Sequence, residues 1–190
     1  MRSERDLLID CLRRLNGCGV AYMLTGSMAS NYWGVPRTAH DLDFVLLMQP
    51  ADVAGVLAAF REGFLLPPES AREAFRPPYQ FNAIDELSAL KVAFWLLREN
   101  VFERNAFARR LEVRLFGVPA WIATAEDTIL HKLYWNRLTP SDRQLGDAAG
   151  VYAVQGDALD AGYLRHWAAK LGVEKELDEL IQGKIRPKTT

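Results

Sequence analysis

The segment RTAHDLDFVLLMQ, residues 37–49, sets two carboxylates, Asp41 and Asp43, at the entrance of a run that is apolar from Phe44 to Met48. Side chains of a strand alternate faces with period two, so the pair projects from one face with Cα atoms roughly 6.5 Å apart. Like charges side by side at a buried strand mouth repel each other and lose hydration. A hard cation resolves both problems, because Mg²⁺ takes one or two carboxylates and completes its shell with substrate phosphates. Just upstream, LTGSMAS (24–30) reads as a strand that turns into a helix at Gly26-Ser27. Glycine there lets a ligand approach the backbone, and the first amides of the helix present donors suited to phosphate. A phosphate cradle and a metal pair on adjacent strand ends are the two halves of a nucleoside-triphosphate site, and two ions would clamp an in-line displacement at phosphorus. The plainer alternatives are a Ser27 that merely caps its helix and an acidic pair that is solvated.

The elements that must position these residues are legible in outline. Leu7, Leu8, Cys11, Leu12 and Leu15 recur at helical spacing over 4–16, and Asn16-Gly17 ends the run. The pattern then predicts a strand over 20–26, a brief helix over 27–34, the strand 42–48 and a helix over 50–63 opened by Pro50. LPPESAREAFRPP reads as a loop, YQFNAI and LKVAFWLL as strands joined by the turn DELSA, and RENVFERNAFARR as a charged connection. Short strands follow around LEVRLFG and VPAWIA. From Thr124 the chain reads as four helices, each opened by a capping residue or preceded by a glycine break. The expected architecture is α+β, a mixed sheet flanked by helices. The expected division is a core over 1–122, a helical region over 123–184 packed on it, and a tail over 185–190.

Of the 190 residues, 49% are apolar and 25% charged, the balance of a folded domain rather than a disordered one. A net charge of −1 supplies no field that would draw the chain onto DNA, so no bulk DNA-binding surface is expected. The one local candidate for RNA or an acidic partner is the basic segment from Arg98 to Arg114, with a solvated face as the plainer reading. Cys11 and Cys18 lack metal-ligand spacing and suit core packing. With no long apolar run and no cleavable leader pattern, a cytoplasmic protein without a membrane span is expected.

TGSMASNYWGVPRTAHDLDFVL resembles the signature of the nucleotidyltransferase superfamily, the DNA polymerase beta-like fold: Gly-Ser opening a helix, then two acidic residues one apart on the next strand. The Arg-Thr ahead of the acidic pair and the C-terminal pattern ATAEDTILHKLYW…SDRQLGDAAGVYAVQGDALDAGYLRHWAAKLGV resemble a bacterial group of minimal, AbiEii-related nucleotidyltransferases. The resemblance implies transfer of a nucleoside monophosphate from an NTP such as ATP to a hydroxyl acceptor, with Mg²⁺ as cofactor. Gly26 and Ser27 would hold the triphosphate, and Asp41 and Asp43 the magnesium. Lys132 would be a phosphate contact. Arg37 would reach a phosphate or fix its loop onto Asp43. Arg143, Gln144 and Asp147 would line the cleft or tie their helix. His40 adjoins the acidic pair and, on a strand, points to the other face.

One departure stands out. Members of this superfamily carry a third carboxylate on a neighbouring strand, which completes the metal site and serves as general base. Here the matching segment is LKVAFW, and Ala93 stands where the acid is expected. Asp85 and Glu86, in the preceding turn, are the available substitutes. The chain is then either a natural degenerate member or a variant from which the acid was removed. Three functional readings follow: a nucleotidyltransferase impaired at Ala93, a nucleotide-binding regulatory protein or toxin–antitoxin-type component without efficient turnover, or a structural domain with an incidental acidic pair. The acceptor would be a protein side chain, an RNA end or a small molecule.

Overall fold

The computed structural model describes residues 2–39 and 41–187; His40, which adjoins the acidic pair, and the last three residues of the tail lie outside the described residues. The chain forms two compact units. One takes Met1–Thr25 and Ala39–Ile122, the other Gly26–Thr38 and Ala123–Thr190.

The first unit is built on a seven-stranded sheet. Its strands are β1 (Ala21–Thr25), β2 (Asp41–Leu47), β3 (Phe64–Leu65), β4 (Gln80–Asp85), β5 (Lys91–Leu96), β6 (Leu111–Leu115) and β7 (Val118–Ile122), in the spatial order β3-β4-β5-β2-β1-β7-β6. The β2·β5 and β1·β7 pairs are parallel and the others antiparallel, so the sheet is mixed as expected. Alternation along the central strands creates two unlike faces. Leu42, Phe44 and Leu46 of β2, Val92 and Phe94 of β5, and Phe81 and Ala83 of β4 are buried on one of them. Phe94 is the hub, with Phe44 at 6.0 Å, Phe81 at 5.0 Å and Phe60 at 5.0 Å between ring centroids. Helix α1 (Glu4–Cys18) contributes Leu7, Leu8, Cys11, Leu12 and Leu15 to this core. Ser3 caps it by accepting from the Asp6 amide at 3.1 Å, and Gly19 ends it in the left-handed region. Burial pushes the Cys11 thiol well above its ordinary value, which fits packing rather than reactivity.

Three segments differ from the linear reading. The helix expected over 50–63 is a 3₁₀ turn, Pro50–Asp52, continued by α3 (Val53–Ala59), after which Phe60 turns into the aromatic core. The expected loop 66–78 holds a short helix, α4 (Pro68–Glu73), started by Pro68 in its first turn. The charged connection 98–110 contains α5 (Val101–Ala108). Its charges mask a real signal: Asn100 accepts from the Glu103 amide, and Phe102, Ala106 and Phe107 form a buried stripe at helical spacing.

The second unit consists of α2 (Gly26–Trp33), α6 (Ala125–Leu138), α7 (Asp142–Gln155), α8 (Ala161–Leu171) and α9 (Glu174–Ile181). Thr124 caps α6 and Asp160 caps α8 through their side chains. The segment 26–38, assigned to the core on linear order, clusters with these helices. The reason is close packing between α2 and α7. A Cβ added at Gly34 would lie 2.5 Å from the Val151 nitrogen and 2.7 Å from the Gly150 carbonyl carbon, so only glycine admits this approach. Gln155 of α7 donates to Trp33 O in the same contact, and Trp33 donates its indole N–H to Ala123 O, just ahead of α6. Among the described residues, no helix is long and apolar enough to cross a membrane.

Candidate active site

On the sheet, register decides which side chains meet. Asp43 is the lateral partner of Ala93 on β5 and of Thr25 on β1, and Ala93 in turn is the partner of Asn82 on β4. Paired residues of neighbouring strands project to the same face, so Thr25, Asp43, Ala93 and Asn82 form one row across four strands. Asp41 forms the next row with Lys91 and Ile84. Both carboxylates therefore share the face opposite the aromatic core. Lys91 Nζ stands 3.5 Å from Asp41 Oδ2, and both side chains are about two-fifths exposed (43% and 38%). Trp95, two residues beyond Ala93, donates its indole N–H to Asp43 Oδ1 at 3.3 Å.

Ala93 is fully buried beside Asp43, and its methyl can neither ligate a cation nor accept a proton. Asp85 does not take over. It lies on the opposite face of β4 from Asn82, is fully buried, and accepts from Arg2 at 2.7 Å and from the Ser88 hydroxyl at 2.6 Å. Glu86 follows it in the turn, where its amide donates to Gly63 O. Among the described residues no group of three or more acidic, histidine or cysteine side chains gathers to hold a metal. The donor set of Asp41 and Asp43 nevertheless suits one Mg²⁺. Two hard oxygen ligands, a loosely held ammonium and a half-exposed setting are compatible with an ion whose remaining sites are filled by water and phosphate. A second ion that needs the third carboxylate is not provided for.

In the helical unit, the expected phosphate residues are assembled around a carboxylate. Gly26 sits at φ 64, in the left-handed region, as the chain leaves β1 for α2; a β-carbon would strain that position. Asp147 of α7 is 5% exposed and receives both nearby cations. Arg37 reaches it with Nε to Oδ1 and Nη2 to Oδ2, each at 2.6 Å, and Lys132 Nζ with Oδ2 at 2.8 Å. Arg37 Nη2 also donates to Ser27 Oγ at 3.1 Å, and Asn31 clamps the Arg37 backbone through both its amide and its carbonyl. Burial by itself would raise the Asp147 carboxyl, but the hydrogen bond from Arg37 and the charge of Lys132 outweigh it and hold the group below the usual aspartate value. Ser27, Arg37, Lys132 and Asp147 are thus one connected network.

Of the two roles expected for Asp147, lining the cleft or tying its helix, the bonds made are those of a tie, and Arg37, expected to reach a phosphate or Asp43, fixes its loop onto Asp147. The signal for Asp147 was the pairing of an isolated basic loop residue with a lone acid far along the chain, which no local spacing reveals. Of its neighbours in SDRQLGD, Arg143 is exposed and lines an open groove of about 730 Å³ with Asn136, Pro140, Ser141, Asp142 and Leu145. Gln144 is half-buried, with Oε1 enclosed and without a hydrogen-bond partner among the described residues. The basic segment 98–114 is largely engaged at home. Arg98 pairs with Glu103, Arg104 with Glu99, and Arg110 stacks over Phe107 and Trp121 at 4.2 and 4.9 Å.

No protein-family model matches the chain, and no curated protein sequence matches it significantly. Solved structures do resemble it. The solution structure of the antibiotic-resistance factor ANT(2'')-Ia superposes with a TM-score of 0.64 at 13% identity, over 95% of this chain and 97% of that one. The crystal structure of ANT(2")-Ia in complex with adenylyl-2"-tobramycin gives 0.63 at 13% identity, over 92% and 99%. An antigenic nucleotidyltransferase-like protein from Paracoccidioides brasiliensis gives 0.57 at 13% identity, over 98% and 94%. Superposition over nearly the full length of each neighbour leads to one conclusion: this chain has the nucleotidyltransferase fold.

Proposed function

We propose that the chain binds a Mg²⁺–nucleoside triphosphate and is a nucleotidyltransferase whose transfer step is impaired by Ala93. The observation that carries this reading is the row on the sheet. Two carboxylates share a face at the mouth of β2, and the position beside Asp43 holds a methyl group instead of an acid. Asp41 and Asp43 would hold the ion, which when bound offsets the negative charge of the triphosphate. Gly26 would allow the phosphates to approach the backbone, and Ser27 would donate from its amide and hydroxyl. Arg37 and Lys132 add positive charge, and Asp147 holds both in place. The acceptor hydroxyl loses its proton during transfer, and with Ala93 no carboxylate at that position takes it. Losing a base removes transition-state stabilisation while the groups that bind ground-state nucleotide survive.

The same observation favours a second reading, a nucleotide-binding regulatory protein or toxin–antitoxin component of the AbiEii-related kind that does not turn over. The small-molecule class of acceptor is supported by a neighbour solved with adenylyl-2"-tobramycin, so an aminoglycoside belongs in the acceptor screen beside proteins and RNA ends. The deciding experiment titrates each NTP with Mg²⁺ by calorimetry and follows pyrophosphate release, in this chain and in its Ala93→Asp variant. Binding by both, with release gained only by Ala93→Asp, supports the impaired transferase. Binding with no release from either supports the regulatory reading, and absence of Mg²⁺-dependent binding overturns both.

A further inference from the structure

β6 (Leu111–Leu115) closes one end of the sheet and pairs only with β7 among the described residues. It is five residues long, whereas the strand at the opposite end, β3, has two. A long free edge normally carries protection, such as a proline, a bulge or charged side chains that repel another strand. β6, Leu-Glu-Val-Arg-Leu, has no proline and an uninterrupted register with β7, and its two charges, Glu112 and Arg114, are opposite in sign, so they do not repel an antiparallel copy that sets one against the other. Leu111 is 44% exposed and Leu115 half-buried, while Glu112 and Arg114 are both exposed on the other face. Arg114 makes one long bond, 3.3 Å, to Gly117 O within its own hairpin, and Glu112 has no ion-pair partner among the described residues. The edge therefore presents an apolar strip, Leu111-Val113-Leu115, and two opposite charges at i and i+2.

We propose that β6 pairs antiparallel with β6 of a second copy of this chain, about a two-fold axis at Val113. That register sets Leu111 against Leu115 of the partner copy and Val113 against itself, so the apolar strips extend one another beneath the joined sheets. On the opposite face Glu112 meets the other copy's Arg114 twice over, giving two symmetric ion pairs. Cross-strand pairs of this kind stabilise a sheet, and like charges directly opposite destabilise it. The charges also select the register. Moving the axis to residue 112 would set Glu112 against Glu112, and moving it to 114 would set Arg114 against Arg114, so both neighbouring slips are penalised. A strand pairing of this length buries less than a standard interface, so the dimer forms reversibly with concentration.

Sedimentation velocity on the full chain over roughly 5–500 µM tests the pairing. The expected result is a monomer–dimer equilibrium. Glu112→Arg and Arg114→Glu each turn both ion pairs into like-charge contacts and should weaken the dimer at least about tenfold, a difference of ~1.4 kcal/mol. The double exchange Glu112→Arg/Arg114→Glu regenerates both pairs and should restore the equilibrium to within about threefold of wild type. Amide exchange of residues 111–115 should slow as concentration rises. A wild type that stays monomeric, a dimer indifferent to the single reversals, a double variant that fails to recover, or exchange in 111–115 independent of concentration would each overturn the proposal.

Discussion

Asp41 and Asp147 are the same residue type placed in opposite physical situations. Asp147 is 5% exposed and saturated by two cations at 2.6 to 2.8 Å. Asp41 is 38% exposed and its cation, Lys91, stands off at 3.5 Å. A buried carboxylate with short bonds to arginine and lysine holds chain segments in place. An exposed one with a long, solvent-screened contact contributes little to stability and remains responsive to an incoming ion. The contrast separates the structural acid of the helical unit from the candidate ligand acid of the sheet.

The sharpest way to break that contrast is Asp147→Ala. It strands Arg37 and Lys132 as buried charges, which costs about 3–5 kcal/mol. For a chain of this size each kcal/mol moves the unfolding midpoint by about 2–4 °C, so calorimetry should record a fall of roughly 6–20 °C. A change below about 2 °C would mean the network is not what holds α2, α6 and α7 together. Next in size is Gly34→Ala. Its Cβ would lie 2.5 Å from backbone atoms that cannot rotate away, so a loss of about 1–3 kcal/mol is expected in urea unfolding.

The pH dependence sharpens the same comparison. Asp147 titrates below the ordinary value of about 3.9 when folded, so its stabilisation is fully present above that pH and is lost as pH falls through the lower folded value. Acid unfolding below about pH 4 should therefore be steeper in wild type than in Asp147→Asn, and parallel curves would remove the carboxylate from the argument. Ala93→Asp should lower thermal stability in the absence of ligand, because it buries a second carboxylate beside Asp43, and Mg²⁺ should reverse the loss. The smallest effect on stability belongs to Asp41→Asn, within about 0.5 kcal/mol. That variant should nevertheless abolish Mg²⁺-dependent nucleotide binding. Stability unchanged and binding intact would return the acidic pair to ordinary surface chemistry.

Several features were legible before any coordinates. The spacing Asp-x-Asp on an apolar strand places both carboxylates on one face, and the sheet register has them there. Gly26 stands where strand becomes helix, and its positive φ is the physical reason for glycine. The helix start at Thr124 was marked by a residue that accepts from the amide three positions on. Helices α4 and α5 were hidden by proline and charge, because local composition favours loop while buried Ala71, Phe102 and Phe107 stabilise helix through tertiary packing.

What the sequence determined alone were the features with local causes: which segments alternate, where helices are capped, which residue types have the chemistry of a metal and phosphate site, and that position 93 bears no acid. What only the tertiary structure decided were relations between distant positions. Asp147 meets Arg37 across 110 residues, Asp85 faces away from the acidic pair because of its place in the alternation, and segment 26–38 joins helices that begin nearly 90 residues later. Periodicity and capping act over a few residues, whereas partner choice and strand order follow from burying apolar faces together, a condition that no single segment contains.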